Sequence, residues 1–306
     1  MSWILIAIIA YFFLAIINIL DKFLLDNVLS SSKVYAFLIS AISVLVVVIA
    51  PWFLHWPGLF LLFFQLATGL FFPFALLFMF KAFKKGDVSK VAVLIGGIIP
   101  ILTIAFSVFV SHEKFLINQS YGLTFLLLGT FAMALIGGGK TARQKAFNRQ
   151  AVGYSLLAAL FYAIFFIGTK YSYNHHDFIS SFIWIRLGSL IALGFLLVRK
   201  TDRQEIFDSF KNKLGKDWNK KQTWLIFGNQ ALGAGAFILQ NYAISLGSVA
   251  IINALQGVQY AFLLALGWVL SVWSPKLFKE DISFKTVREK VLAIILISVG
   301  LYFIVI

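Results

Sequence analysis

The stretch from Lys81 to Lys114, KAFKKGDVSKVAVLIGGIIPILTIAFSVFVSHEK, constrains the fold of this chain more than any other. Between its basic start and Glu113–Lys114 lies an apolar run from Val91 to Val110, long enough to span a bilayer core at about 1.5 Å per helical residue. Gly96, Pro100, Thr103, Ser107 and Ser111 recur through it every three or four positions. A helix here therefore gathers its small and polar groups on one face, which is suited to protein or water and not to lipid.

Composition extends that reading to the whole chain. With 61% hydrophobic and only 12% charged residues among 306, the expected outcome is a set of long apolar runs and not one soluble core. We read ten spans, at about 2–20, 33–54, 59–80, 88–111, 119–138, 151–170, 178–198, 223–245, 249–272 and 289–306, with boundaries good to a few residues. The first has no basic region before Trp3 and no small-residue cleavage site, so it reads as a retained helix. The absence of cysteine excludes disulfides, thiolate catalysis and Cys-ligated metals. A net charge of +14 would suggest nucleic acid for a soluble chain. In a membrane chain the position of each charge matters more, and no nucleic-acid partner is expected.

The Lys81–Lys114 stretch has a second copy. Gly86-Asp87-Val88 recurs as Gly247-Ser248-Val249, Leu94 as Leu255 and Gly96 as Gly257, all at one offset; at another, Ala15, Ile19 and Lys22 recur as Ala163, Ile167 and Lys170. The change of offset is taken up by the polar segment Arg199–Gln222, where the first half has only His55–Gly58. On these residues, with Glu113 closing the Gly/Pro-bearing fourth span and lysines closing the first and sixth, the chain resembles the EamA-like ten-helix transporters of the drug/metabolite transporter superfamily. The resemblance implies an all-α membrane protein of ten transmembrane helices, arranged as two inverted five-helix EamA-like repeats over residues 1–140 and 151–306.

Charge sets an orientation. Of 26 lysines and arginines, all but Lys114, Lys170 and Arg186 fall around the loops after spans 1, 3, 5, 7 and 9. Those loops are expected on the cytoplasmic side, with both termini outside and the plasma membrane as the setting. An odd number of helices per half makes the halves enter the membrane in opposite senses, the arrangement that permits alternating access around a midplane site. Arg199–Gln222 also carries Ile206, Phe207, Phe210 and Leu214 at helical spacing. It reads either as a solvated loop with a short helix or as a segment lying on the anionic membrane surface.

Candidate substrate-binding residues follow from polarity inside the spans. Arg186 lies about 12 Å into the seventh span, where a cation is costly enough to face a cavity or a partner; a structural tie to carbonyls is the alternative. Lys22 and Lys170, equivalent in the repeat, would each close one mouth of a pathway, unless they snorkel to the interface. Asn229 and Gln240 share one stripe of the eighth span, and Asn253, Gln256 and Tyr260 one stripe of the ninth. Interhelical hydrogen bonding competes with a lined cavity as the reason for each. Gln65 is a lone amide in the third span. Gly96, Gly97 and Pro100 would let the fourth span bend as a hinge. Gly122, Gly129, Ala132, Ala293 and Gly300 serve packing between helices, or between protomers in a homodimer.

The acidic residues are expected in loops or near helix ends, with Glu113 closest to a span, which leaves no mid-bilayer carboxylate and favours exchange over proton coupling. His175–His176 are adjacent and loop-placed, a poor metal pair, and no cofactor or metal is called for. The leading expectation is a secondary transporter for a small polar metabolite, with anionic character suggested by Lys22, Lys170 and Arg186. A membrane-embedded enzyme or a non-transporting assembly protein is the alternative. An enzyme should cluster carboxylates or histidines at one interface, and this sequence does not, so no enzyme activity is expected.

Overall fold

The computed structural model describes residues 2–27, 32–85, 88–109, 112–136, 149–215, 220–273 and 284–306, and every regular element within them is helical. The helices are α1 (Ser2–Asn27), α2 (Ser32–Ser43), α3 (Ala50–Phe53), α4 (Leu59–Lys85), α5 (Val88–Phe109), α6 (Ile117–Ile136) and α7 (Arg149–His175). They continue as α8 (Phe178–Val198), α9 (Lys200–Gly215), α10 (Lys220–Leu246), α11 (Val249–Ala254), α12 (Gln256–Trp273) and α13 (Phe284–Val305). The described residues of the apolar runs are helical except at Leu54, Leu255 and Ile306. Among the described residues, six stretches are long and apolar enough to cross a membrane: Trp3–Asp21, Lys33–Phe53, Leu59–Lys85, Arg149–His175, Phe178–Phe195 and Val249–Gly267. Large apolar side chains such as Phe60, Phe63, Phe109, Val198 and Trp224 stand exposed on the outside, as a lipid-facing surface requires and a water-facing one penalises.

Two runs expected as single helices are interrupted. The second passes from α2 into a 3₁₀ segment, Val44–Ile49, and then α3. All of that segment but Leu45 is β-branched, which crowds the preceding turn of an α-helix, and the Ser43 hydroxyl just before it donates to the Ser40 carbonyl at 2.7 Å. The ninth run breaks at Leu255, between α11 and α12. There the Ile252 carbonyl accepts the Tyr11 hydroxyl from α1 at 2.7 Å, while the Leu255 N–H reaches back to Ile251 and Ile252. A side chain inserted into the carbonyl ladder is a recognised cause of a kink. By contrast α5 runs unbroken through Gly96, Gly97 and Pro100.

Helices pair antiparallel in three seams. Along α1 and α10, Tyr11 meets Gln240, Ile17 lies against Gly233, and Asp21 meets Asn229. Along α4 and α7, Phe64 meets Tyr171, Thr68 meets Gly168, Phe72 meets Phe165 and Phe78 meets Tyr154. The third seam joins α6 and α13, with Gly122 against Gly300 and Ile304, and Gly129 against Ala293 and Ile297. At α4–α8 the backbones touch: a Cβ on Gly69 would lie 1.9 Å from the Ile185 carbonyl oxygen, and one on Gly188 2.1 Å from that of Leu66. Missing side chains allow that approach and the dispersion contacts it brings.

Within the basic segment after α8 the described residues form a helix that packs on the bundle. Its helix α9 buries Ile206 while Phe207 stays exposed, and Glu205 pairs with Lys33 of α2 at 3.4 Å. The side chains of Phe210 and Leu214 lie outside the described residues.

Candidate functional site

Arg186 on α8 is buried, 1% exposed. Its guanidinium carbon lies 4.5 Å from the ring centroid of Phe72 on α4, 4.5 Å from Phe237 on α10, 4.9 Å from Phe182 on its own helix and 5.8 Å from Phe165 on α7. Nη1 donates to the Ser43 hydroxyl at 3.4 Å, at the junction of α2 with the 3₁₀ segment. Nε has no hydrogen-bond partner among the described residues. Ring faces attract the cation but accept no N–H in the plane of the guanidinium, so the Nε donor still calls for an oxygen acceptor.

A second polar cluster joins α1, α2 and α10. Asp21 Oδ1 accepts both the Tyr35 hydroxyl and the Asn229 amide, the latter at 2.6 Å. The sequence reading placed Glu113 closest to a span; here Glu113 lies in the turn after α5, whereas Asp21 is inside α1 and at the end of the span Trp3–Asp21. The difference arises because α1 runs on to Asn27 past the apolar run, with Leu24 fully buried. This seam continues along α1 to Tyr11, which accepts the Gln240 amide at 3.3 Å and donates to the break at Ile252. The Asn229 carbonyl oxygen is buried without a partner among the described residues.

The third cluster lies where α5 crosses α12. A Cβ on Gly96 would come within 2.0 Å of the Tyr260 hydroxyl and 2.9 Å of the Gln256 amide nitrogen, and one on Gly97 within 3.2 Å of the Phe131 ring. Pro100 has no N–H to offer the Gly96 carbonyl. Asn253, 1% exposed in α11, keeps an amide nitrogen without a partner among the described residues.

The remaining candidates lie apart from these clusters. Gln65 on α4 donates to the Ser181 hydroxyl of α8 at 3.0 Å. Lys170 donates to the carbonyls of Ile244 and Ser245 at 3.0 and 3.3 Å, satisfying the C-terminal end of α10 where a cation also complements the helix dipole. The side chain of Lys22 lies outside the described residues. Among the described residues, no three His, Asp or Glu side chains group as metal ligands.

A chain with long apolar helices, a buried arginine and small residues at its helix crossings is comparable with known membrane families. Residues 1–135 match the EamA-like transporter family. The "Uncharacterized transporter YxxF" of Bacillus subtilis (strain 168) is 28% identical over 131 residues, which is 43% of this chain and 41% of that protein. The matched stretch thus spans about two fifths of that relative's length. A crystal structure described only as that of a protein is similar over 98% of this chain and 93% of its own, with a TM-score of 0.63 at 16% identity; at that identity the likeness is one of fold. The EamA-like match and the apolar helices identify an integral membrane protein. The EamA-like stretch contains Asp21, Tyr35, Ser43, Gln65, Phe72 and Gly96, whereas Arg186 and the α10 amides lie beyond it.

Sequence reasoning missed Asp21, Tyr35, Tyr11 and the phenyl rings around Arg186. Tyr11 and Asp21 had a usable signal, a polar side chain on each end of the α1 stripe that also holds Leu14 and Asn18. The rings had none, since 34 phenylalanines leave no four of them distinguishable.

Proposed function

We propose that the protein is a secondary transporter that carries a small polar, anionic metabolite across the membrane by alternating access. The moving parts are two inverted five-helix halves, residues 1–140 and 151–306. The observation that carries this reading is Arg186. It is a buried guanidinium between elements of both halves, held by ring faces and one hydroxyl, with no carboxylate ion-paired to it among the described residues. Once water is excluded, a cation in such a setting attracts an anion strongly, and its planar fork suits carboxylate or phosphate.

Helix pairing supports the inverted arrangement. Under the repeat α1 corresponds to α7 and α4 to α10, so the antiparallel seam α1–α10 is exchanged with the antiparallel seam α4–α7. The seam α6–α13 maps onto itself. The break at Leu255 and the proline-freed carbonyl of Gly96 fall at nearly equivalent positions of the two halves, and there the helices can bend as the halves rock. Asn229, Gln240, Asn253, Gln256 and Tyr260 line the route on either side of Arg186; Lys170, tied to the carbonyls at the end of α10, stands at one mouth, and Gln65 flanks it. The matched family and the Bacillus subtilis relative are both called transporters by description.

Uptake and counterflow in proteoliposomes, run against a panel of dicarboxylates, amino acids, organic phosphates and organic cations, test this reading. Accumulation of a member of the anionic set, with exchange against the same compound inside, is the expected result. Uptake restricted to organic cations would contradict it.

A further inference from the structure

We propose that the groove between the interrupted second run and α8 is a lipid site: it takes one acyl chain of an anionic phospholipid, whose phosphate is held by the cations where α8 passes into α9. The groove exists because two walls fail to fill the space between them. Side chains of the 3₁₀ segment Val44–Ile49 eclipse at every third position, and none of them is buried. Opposite, Gly194 presents no side chain, and a Cβ there would meet nothing within 4 Å. The opening measures about 510 Å³ and is lined by apolar residues alone, with Phe37, Val44 and Val48 on one wall and Leu190, Gly194 and Leu197 on the other.

The setting decides what fills it. The walls belong almost wholly to two stretches long and apolar enough to cross a membrane, Lys33–Phe53 and Phe178–Phe195, so the opening faces hydrocarbon and offers water no partner. Leu45, Val48 and Leu190 are exposed, so a chain can enter sideways from the bilayer. A helix about 10–12 Å across occupies roughly 800–1,200 Å³ over the ~10 Å of α8 between Leu190 and Leu197, more than the opening holds. A single hydrocarbon chain is thin enough to lie inside it and restore the dispersion contacts that the walls lack.

Charge selects the headgroup. The walls run antiparallel: at one end the Ser180 hydroxyl donates to the Phe53 carbonyl at 2.7 Å, and at the other Lys33 pairs with Glu205 of α9 at 3.4 Å. Leu197 lies at this second end, and the chain continues there through Arg199, Lys200 and Arg203, all exposed. The Arg203 N–H donates to the Arg199 carbonyl at 2.9 Å, which gathers the three cations within one helical turn. None of them forms an ion pair among the described residues, and the carboxylate of Glu205 is engaged by Lys33. Arginine's planar fork suits a phosphate. The basic loops are expected to mark the cytoplasmic side, where the leaflet carries anionic lipid. Because chain and phosphate belong to one molecule, the second contact forms at high effective concentration once the first is made.

Native mass spectrometry of the full chain, stripped of lipid in detergent and then titrated with phosphatidylglycerol or with phosphatidylcholine of the same acyl chains, tests the proposal. Wild type should retain one phosphatidylglycerol in preference to phosphatidylcholine. Gly194→Phe, whose ring grows into the opening from a Cβ that meets nothing, should retain neither. Arg199→Gln and Lys200→Gln, both at exposed positions that the fold does not need, should each cut the preference for phosphatidylglycerol by about fivefold and leave phosphatidylcholine retention alone. Wild-type retention in Gly194→Phe would overturn the groove as the site. A headgroup preference unchanged when both cations are removed would overturn the phosphate contact. A dimer in the lipid-free wild type that Gly194→Phe abolishes would give the groove to a second copy of the chain instead. The proposal is independent of the transport reading, and none of these outcomes bears on counterflow.

Discussion

Arg186 holds its place through geometry that lysine cannot copy. A flat guanidinium stacks on Phe72 and Phe237 at 4.5 Å and still points donors along its plane, while an ammonium is a strongly hydrated point charge. Arg186→Lys should keep the protein monodisperse in detergent but cut transport by tenfold or more, on the order of 1.4 kcal/mol; full activity in the lysine variant would remove the fork from the account. Asp177 illustrates a different residue-scale effect, outside the membrane. Burial works to raise its pKa, yet hydrogen bonds from Ser180 and His55, with His176 beside it, hold it below the usual carboxylate value. A depressed native pKa stabilises fully above the unfolded value of about 3.9 and fades as pH falls through the native one. Wild type should therefore lose more thermal stability between about pH 5 and pH 3 than Asp177→Asn, whose amide still caps α8 at any pH. Because Asp177 is exposed, the difference should stay at or below about 1 kcal/mol. Equal losses in both proteins would show that the cap is not the titrating element.

Helix crossings set by glycine carry the element scale. Gly188 meets the Leu66 carbonyl so closely that a Cβ would lie 2.1 Å from its oxygen, whereas one on Gly153 in α7 would meet nothing within 4 Å. Gly188→Ala should lower stability by about 1–3 kcal/mol through enforced separation of α4 and α8. Gly153→Ala should raise it by about 0.5–1 kcal/mol through helix propensity. Thermal unfolding in detergent separates them, and a stable Gly188→Ala protein would mean the backbones do not touch. Much at this scale was legible in the sequence: hydropathy marked the helical character of the described apolar stretches, and Gly122, Gly129, Ala293 and Gly300 do lie in one helix seam. Gly69 and Gly188 were passed over because a close approach depends on which helix lies opposite, and spacing within one helix does not encode that. The α2 interruption and the kink at Leu255 were hidden for the same reason, the latter requiring Tyr11 from a helix far away in sequence. Asp21 was misjudged because an apolar run marks the hydrocarbon core, and a helix can outlast it by two turns.

At the scale of the whole molecule, the account needs two halves in opposite senses around a central cation. On the charge asymmetry of the loops, both termini are expected on the extracytoplasmic side. Single cysteines at Ser2 and Ser209 should then differ, with an impermeant reagent on intact cells labelling only the first; labelling of Ser209 alone would reverse the orientation. The most direct test of the central claim is counterflow of the anion identified by the panel, in proteoliposomes holding wild type or Arg186→Gln at equal density and comparable detergent stability. The account predicts exchange in wild type and its loss in the variant, by tenfold or more and on the order of 1.4 kcal/mol. Unchanged exchange in Arg186→Gln would contradict a transport site built on that buried charge.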